Sequence, residues 1–350
     1  AGTSSLPEHM GGVRNWDYRY CWLRDAAWSL QSLARLGAVN EGLQFMDWLM
    51  EIIDRRGTPE RLQPLYNVAG HHLPPEADLS ELAGYAGSRP VRIGNAAEGQ
   101  VQLDVFGPIV DLVASLQAAG VTLSHRHLGL VEASVSAVEA RWREPDHGVW
   151  EERTRPRHHV SSKVMCWVAV DRAITIHQVA DVSVPEDWPL LRDEIMSDVV
   201  EHGYSSQVGS FTSAYGDPDI DASVLHVMLS GMLRPDDPKV LSTVSAVESL
   251  LRDGPVVYRY LHDDGLPGRE GAFLLTTSWL IESYLLIGEI ARAEALFGEL
   301  EKRPGPTGLM AEEYDPISGL TLGNLPQAYS HLGFINAALA LDKLHERSSI

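Results

Sequence analysis

Two pairs of adjacent glutamates stand beside aromatic residues in loop-like segments of this sequence. In the segment DHGVWEERTRPRHH, Trp150 is followed directly by Glu151 and Glu152. An aromatic ring can pack on the C–H face of a sugar, and its apolar bulk raises the pKa of a nearby carboxyl group so that this group can donate a proton. A glycine turn followed by a solvated charge pair would also produce this pattern.

The second pair, Glu312 and Glu313, precedes Tyr314 in the segment GLMAEEYDPISG. An ordinary polar loop between two helices would also account for it. If both loops lie on one rim of the fold, a carboxylate from each can face the other. Two carboxyl groups on either side of a glycosidic bond are the minimum requirement for its hydrolysis.

Two further segments combine arginine with aromatic residues. In VVYRYLHDDGLPG, Arg259 lies between two tyrosines and ahead of two aspartates. Its guanidinium offers a rigid set of donors to neighbouring hydroxyls, although a structural salt bridge to a nearby Asp is the alternative. Near the start, NWDYRYCWLRDAAW contains five aromatics, two Arg and two Asp within fourteen residues. Ordinary cores do not crowd aromatic and charged side chains so tightly, so this segment is a candidate wall of a binding site.

The sequence lacks motifs for metal, nucleotide or serine-hydrolase chemistry. The segment DPDID matches the first, third and fifth positions of a calcium loop, but Ala222 and Met228 occupy the sixth and twelfth positions, where Gly and Glu are required. No zinc-ligand spacing, phosphate loop or GxSxG motif is present. We therefore expect no metal site and no cofactor.

Composition narrows the classes of partner. The 350 residues include 48 acidic and 28 basic ones, for a formal charge of −20, which disfavours binding to nucleic acid and to anionic membranes. No apolar run reaches the roughly 18 residues that a membrane span needs, and no signal peptide is visible. The two cysteines, Cys21 and Cys166, lie in apolar, helix-like contexts, which predicts reduced thiols and a cytoplasmic protein. The oligomeric state is left open.

Apolar residues recur with helical periodicity along most of the chain. Eleven helices are predicted, at residues 25–37, 39–55, 99–119, 124–143, 161–179, 186–203, 220–233, 238–252, 271–286, 288–302 and 326–345. Most are separated by short links, as in antiparallel helical hairpins. Strand-like alternation is scarce, and GPVVYRYL is its best example.

Hairpins of this kind can close into an all-α toroid of six hairpins, the (α/α)6 barrel. Eleven helices are one too few, and we expect the missing one to precede Ala1. Long polar segments, at 56–98, 144–160, 254–270 and 303–325, would then fall at one end of the barrel. Loops of this length are usually functional.

Five stretches of the sequence, taken together, resemble glycoside hydrolase family 15, which includes glucoamylase-like enzymes, glucodextranases and trehalases. They are, in order, TSSLPEHMGGVRNWDYRYCWLRDA, GNAAEGQVQLDVFG, HGVWEERTRPRHHVSSKVMCWVAVDRA, VYRYLHDDGLPGREGAF and GLMAEEYDPISGLTLGNLPQAYSH. The resemblance implies an (α/α)6 barrel with a pocket at one end, which cleaves a terminal α-glucosyl unit with inversion.

The resemblance also implies roles for individual residues. Glu151 corresponds to the general acid, and Glu312 to the general base that activates water. The other matching positions are expected to bind the substrate: Arg24, Asp25, Trp150, Glu152, Arg259 and Trp279. Asp25 would also suit the start of a helix, where the macrodipole stabilises an acidic residue.

The leading functional expectation is a glucoamylase-like enzyme that releases β-glucose from malto-oligosaccharides. A trehalase of the same family is the alternative, and the shape of loops 56–98 and 144–160 would separate the two. Bacterial family members usually carry an N-terminal β-sandwich and a linker helix, and we expect 1–350 to be a single catalytic domain without them. The loss of that helix would expose an apolar groove. A non-catalytic helical-barrel binding module is therefore a second alternative.

Overall fold

The computed structural model describes residues 1–57 and 59–348, and α-helices dominate it. Thr58, inside the predicted loop 56–98, lies outside the described residues, as do 349 and 350. Eleven α-helices occur within the described part: α1 (Leu23–Arg35), α2 (Asn40–Arg56), α3 (Phe106–Ala118), α4 (His125–Arg141), α5 (Val160–Val179), α6 (Asp187–His202), α7 (His226–Leu229), α8 (Pro238–Leu251), α9 (Leu274–Leu286), α10 (Ile290–Leu300) and α11 (Ala328–Ser348).

The odd-numbered helices form a closed inner ring. Each of α1, α3, α5, α7, α9 and α11 packs against the next, and α11 packs against α1. The even-numbered helices lie outside: α2 packs on α1, α4 and α6 pack on α5, and α8 and α10 pack on α9. Most residues of α5 are buried, since this helix lies between the ring and its outer neighbours. The predicted all-α toroid of helical hairpins is confirmed.

The outer ring has five helices within the described residues, one fewer than the inner ring. Besides α2 and α10, no described outer helix packs extensively on α1 or α11. Leu30 and Leu33 of α1 and Ile335 of α11 are accordingly only partly buried. The described residues thus contain the eleven helices that were predicted, and the position of a twelfth stays a prediction.

The helix predicted at 220–233 is much shorter in the structure. A 3₁₀ turn at Ala222–Leu225 leads into the single-turn helix α7. Gly231, with a φ of 85°, adopts the left-handed conformation that stops a helix. The apolar periodicity here therefore reflects burial of a short turn and not a long helix.

Two other inner helices begin later than predicted. The helix predicted at 99–119 starts only at Phe106, with Pro108 in its first turn, where the missing N–H has no intrahelical partner to lose. The helix predicted at 271–286 starts at Leu274, because Ala272–Phe273 form a strand. The second shift leaves extended backbone at the amino end of α9, whereas a 3₁₀ turn at Leu103–Val105 precedes α3.

Short antiparallel strands stabilise the loops at this end. The strand predicted in GPVVYRYL is present, as β8 (Val256–Val257) paired with β7 (Arg252–Asp253). The others were not predicted, since pairs of two or three residues carry no detectable alternation. The strands are β1 (Cys21–Trp22), β2 (Leu65–Tyr66), β3 (Ala77–Leu79), β4 (Val91–Ile93), β5 (Tyr204–Ser205), β6 (Ser210–Phe211), β7 (Arg252–Asp253), β8 (Val256–Val257), β9 (Ala272–Phe273), β10 (Glu313–Tyr314) and β11 (Thr321–Leu322).

Strand β10 is the central one of a three-stranded sheet in the order β11–β10–β9. In this register, Glu313 lies opposite both Phe273 and Leu322. The sheet thereby fixes the segment that carries the predicted general base against the start of α9. None of the helices within 1–57 and 59–348 is long and apolar enough to cross a membrane. Cys21 and Cys166 are both free thiols.

A buried ion pair joins the N-terminal segment to the loop at 254–270. Arg14 contacts Asp264 through two hydrogen bonds of 2.7 and 2.8 Å, and it also donates to the carbonyls of Pro267 and Leu266. The side chains of Arg14 and Asp264 are only 5% and 4% exposed. This pair holds together two parts of the chain that are 250 residues apart.

We expect Arg14→Met to lower the free energy of unfolding by about 3–5 kcal/mol, because it leaves a buried carboxylate without its cation. Denaturant unfolding measures this loss. The control is Arg126→Met, whose ion pair with Asp54 is more than half exposed and for which we expect a loss below about 1 kcal/mol. Equal losses in the two variants would show that the buried pair does not hold the loop.

Candidate active site

A cavity of about 440 Å³ opens at the amino ends of the inner helices. Its walls come from the start of α1, the start of α11 and the long loops between hairpins. Seven of the eight predicted site residues line this cavity: Arg24, Asp25, Trp150, Glu151, Glu152, Arg259 and Glu312. The predicted pocket at one end of the barrel therefore collects nearly all of the candidate residues from four separate stretches of sequence.

Trp279, the eighth predicted residue, lies behind the cavity wall. It is 5% exposed and sits in α9. Its ring centroid is 5.8 Å from that of Trp150, which does line the cavity, and 4.5 Å from that of His226. In this structure Trp279 supports the aromatic wall from behind and does not face the cavity.

Glu151 is held firmly by one of its two carboxyl oxygens. Its Oε1 accepts hydrogen bonds from Trp22 Nε1 at 2.7 Å and from Gln102 Nε2 at 3.0 Å. Arg24 Nη2 lies 3.6 Å from the same oxygen. Among the described residues, none donates a hydrogen bond to Oε2. A carboxylic acid arranged in this way accepts through one oxygen and keeps the other free to carry and donate a proton.

The backbone at Glu151 is strained. Its φ is 60°, a left-handed value that non-glycine residues seldom adopt and that costs on the order of 1–3 kcal/mol. The preceding turn uses Gly148, where a Cβ would lie 2.8 Å from the ring of His159. The strain turns the Glu151 side chain toward Trp22 and the cavity.

Arg24 is buried and its donors are largely engaged. Its Nη1 donates to Asp104 Oδ2 at 2.9 Å and to Gln102 Oε1 at 2.8 Å, and its Nε donates to the Tyr329 hydroxyl at 2.8 Å. Its Nη2 lies 3.5 Å from Asp25 Oδ2. Burial raises the pKa of Asp25 to about 6 against the opposing charge of Arg24. The pair is positioned at the cavity wall as a fixed donor and acceptor for hydroxyl groups.

Glu312 lies just before strand β10 and is 3% exposed. Its Oε2 accepts a hydrogen bond of 3.2 Å from the backbone N–H of Asn324. Gly323 permits this contact, since a Cβ at that position would lie 2.6 Å from the same oxygen. Burial raises the pKa of Glu312 to about 7, although the charge of Arg259 opposes the shift. The carboxyl group is thus poised to take or release a proton near neutral pH.

Arg259 combines a structural ion pair with a place in the cavity wall. Its Nε and Nη2 both donate to Glu270, and Nη2 lies 3.8 Å from Glu8 Oε2. The salt bridge considered as an alternative is therefore present, but with a glutamate, because Asp264 is bound by Arg14. The hydrogen bonds of Arg259 to described residues leave its Nη1 unused.

Three buried carboxyl groups lie behind Arg259. Oxygens of Glu8, Glu270 and Glu313 lie within 4.8 Å of one another, a spacing at which such groups could hold a metal ion. Burial raises the pKa of Glu8 to about 8 and that of Glu313 well above its ordinary value. Protons on these two groups would limit the negative charge behind Glu312.

Glu152 lines the cavity but is already bound on both oxygens. Arg157 Nη2 lies 3.0 and 2.8 Å from its two oxygens, and His262 Nε2 lies 3.2 Å from Oε1. Burial raises the pKa of Glu152, but the hydrogen bond from His262 and the charge of Arg157 outweigh it and bring the value to about 2. Glu152 is a permanent anion that fixes the loop carrying Glu151.

The sequence analysis missed several residues that hold the candidate groups: Trp22, Gln102, Asp104 and Tyr329. The sequence did contain signals for them. Trp22 belongs to the aromatic-rich NWDYRYCWLRDAAW segment, and the other three lie inside the stretches that carry the family resemblance. Their partners are far apart in sequence, so pattern alone could not assign them.

Comparison with known proteins decides the family. Residues 1–339 match the sequence profile of glycosyl hydrolases family 15. The chain belongs to this family. The resemblance inferred from the five stretches is thereby confirmed.

Relatives with a described activity are trehalases. The chain is 41% identical over 353 residues to a trehalase of Mycobacterium tuberculosis, covering 99% of this chain and 52% of that protein. It is 39% identical over 345 residues to a trehalase of Thermoplasma acidophilum, covering 98% of this chain and 59% of that protein. The chain thus spans little more than half the length of these relatives. Their names agree with the alternative expectation, and the leading glucoamylase expectation is not confirmed.

A solved structure supports the fold. A bacterial glucoamylase complexed with acarbose superposes with a TM-score of 0.71 at 16% identity, covering 96% of this chain and 51% of that chain. At this identity the likeness shows the (α/α)6 architecture alone.

Proposed function

We propose that this chain hydrolyses α,α-trehalose, with inversion at the attacked anomeric carbon. The observation that carries the proposal is the presence of Glu151 and Glu312 on the walls of one cavity, each fixed by its own set of hydrogen bonds. The trehalase names of relatives at 39–41% identity support the choice of substrate.

The reaction follows from the two carboxyl groups. Glu151 donates its proton to the glycosidic oxygen as the C1–O bond breaks, and water attacks C1 from the opposite face. Glu312, as the base, accepts a proton from that water. Inverting enzymes hold the two carboxyl groups roughly 6.5–9.5 Å apart so that the water fits between them. Arg24 and Asp25 would bind hydroxyls of the attacked glucose, and Trp150 would pack on its ring.

The mouth of the cavity supports a compact second subsite. Arg153 forms hydrogen bonds of 2.8 and 2.6 Å with Glu76, which joins the predicted loops 56–98 and 144–160. The Arg153 guanidinium also lies 4.4 Å from the centre of the Trp16 ring. A cavity of about 440 Å³ between loops tied in this way suits a disaccharide better than a long chain.

Substrate preference tests the proposal. We expect kcat/KM for trehalose to exceed the values for maltose and maltotriose by at least about ten-fold, the margin that a few subsite contacts provide. The three sugars are compared at one pH by glucose release. A preference for maltotriose would favour the glucoamylase alternative, and no release from any of them would favour the non-catalytic binding module.

The pH dependence is set by Glu312. Since the base must be ionised and burial raises its pKa to about 7, we expect kcat/KM for trehalose to rise as the pH increases through about 7. Below that value the rate constant should fall about ten-fold per pH unit, as the ionised fraction does. Initial rates between pH 5 and 8 measure this limb. A plateau that extends down to pH 5 would contradict the environment assigned to Glu312.

A further inference from the structure

A second cavity, of about 340 Å³, lies deeper along the barrel axis than the candidate active site. Its lining includes Arg35, the last residue of α1, and Ser230, which follows the end of α7. The first cavity is lined instead by residues at the start of α1 and α11. The second cavity therefore lies toward the carboxyl ends of the inner helices, at the opposite mouth of the barrel.

An aromatic layer separates the two cavities. Trp28, Trp279 and His226 line the second cavity, with ring centroids 4.5–6.0 Å apart. On its other side Trp279 packs against Trp150, which lines the first cavity, at 5.8 Å. The inner end of the second cavity is thus a wall of indole and imidazole rings.

The rest of the wall includes guanidinium and carboxyl groups. Two guanidinium groups, of Arg35 and Arg172, face the carboxyl groups of Asp111 and Glu282. Arg172 Nε donates to Asp111 at 2.8 Å, and Arg35 Nη1 donates to Asn336 Oδ1 at 3.1 Å. The wall thus offers both guanidinium donors and carboxyl acceptors for hydroxyl groups.

Two polar groups at this cavity have no hydrogen bond to any described residue. One is the carboxyl group of Glu282, which burial holds at a pKa of about 7 against the charge of Arg35. The other is the Nε2 atom of His226, which is itself buried. Burial lowers the pKa of His226 to about 4, so its ring is neutral at pH 7. Buried polar atoms normally have a hydrogen-bond partner. The Glu282 carboxyl group and His226 Nε2 therefore indicate a ligand with its own donors and acceptors.

We propose that this second cavity binds a neutral monosaccharide. Aromatic faces suit the C–H surface of a pyranose, and carboxyl, guanidinium and amide groups suit its hydroxyls. The volume is within the range of small-molecule sites. The site is distinct from the catalytic cavity, and the proposal does not depend on which glycoside the chain cleaves.

Binding of glucose tests the site without any reference to turnover. Equilibrium dialysis with radiolabelled glucose should show two molecules bound per chain in the wild-type protein. In Glu282→Leu we expect the affinity of one site to fall by at least about ten-fold, since the hydrogen bonds of the carboxyl group to the sugar are lost. Glu41→Leu, at an exposed position of α2, is the matched control and should keep both sites. Glu282→Met has a side chain of similar length that cannot bond a hydroxyl in this way, and it replaces the Leu variant if the latter does not fold.

A crystal structure with glucose locates the second molecule. Sugar between the Trp28–His226 layer and Glu282, together with the loss of one site in the variant, would support the proposal. Sugar in the first cavity alone, with one molecule bound per chain, would overturn it. Sugar in the second cavity without any effect of Glu282→Leu or Glu282→Met in solution would mean binding at crystal concentration only, and would overturn it too.

Discussion

Replacing Glu151 with glutamine is expected to lower kcat for trehalose hydrolysis by about a thousand-fold, the contribution typical of a general acid. The glutamine oxygen can still accept the hydrogen bonds from Trp22 and Gln102, so the fold and the cavity should be preserved. What is lost is the proton on the second oxygen. Initial rates measure kcat, and thermal unfolding shows whether the fold is preserved. Glu139→Gln, at an exposed position of α4, controls for the loss of one carboxylate and should have no effect on kcat.

A substrate with a better leaving group distinguishes a general acid from a residue that only binds the substrate. Fluoride leaves without protonation, so Glu151→Gln should retain most of the wild-type activity on α-glucosyl fluoride. An equal loss of activity on the fluoride and on trehalose would contradict the role of Glu151 as acid.

Replacing Glu312 with glutamine is expected to lower kcat by about a thousand-fold or more on both trehalose and α-glucosyl fluoride. Both substrates require an activated water, so a better leaving group cannot compensate for the missing base. Glutamine can still accept the hydrogen bond from the backbone of Asn324, and the variant should therefore fold. The same two rate assays and an unfolding curve measure the result.

The neighbouring residue offers a matched control for Glu312. Burial raises the pKa of Glu313 well above its ordinary value, which favours the protonated carboxyl group, and glutamine resembles that form in charge and shape. Glu313→Gln should then keep kcat within about ten-fold of wild type, because it does not remove the base. A larger loss in Glu313→Gln than in Glu312→Gln would reverse the assignment of the base within the pair.

Much of the fold could be predicted because long helices carry a periodic signal. The helix at 160–179 was predicted to within one residue, since nearly every turn of α5 contributes apolar side chains to the core. The helix predicted at 220–233 was too long, because a buried turn that ends at Gly231 has the same apolar content as a helix. The three-stranded sheet around β10 was missed, as its strands are only two residues long.

For the candidate site, residue types and local sequence context predicted which residues line the cavity, but they did not predict which residues contact each other. Seven of the eight predicted residues line one cavity, because they lie in the loop before an inner helix or in its first turn and so meet at one end of the ring. The ion-pair partners could not be predicted. Arg259 pairs with Glu270 and not with the aspartates nearer to it in sequence. Arg14 pairs with Asp264, which is 250 residues away along the chain. Such pairings depend on how the loops pack, and loop packing produces no periodic pattern in the sequence. The same reason explains Trp279, whose place behind Trp150 follows from the packing of α9.

The anomers first released from trehalose test the central claim most directly. Inversion at one anomeric carbon yields β-glucose from the attacked unit, while the departing unit leaves as α-glucose. Proton NMR within the first minutes, before mutarotation shifts the anomer ratio toward its equilibrium excess of β-glucose, should therefore show equal amounts of α- and β-glucose. Release of α-glucose alone would indicate retention, and it would contradict the assignment of Glu151 and Glu312 as the acid and base of an inverting reaction.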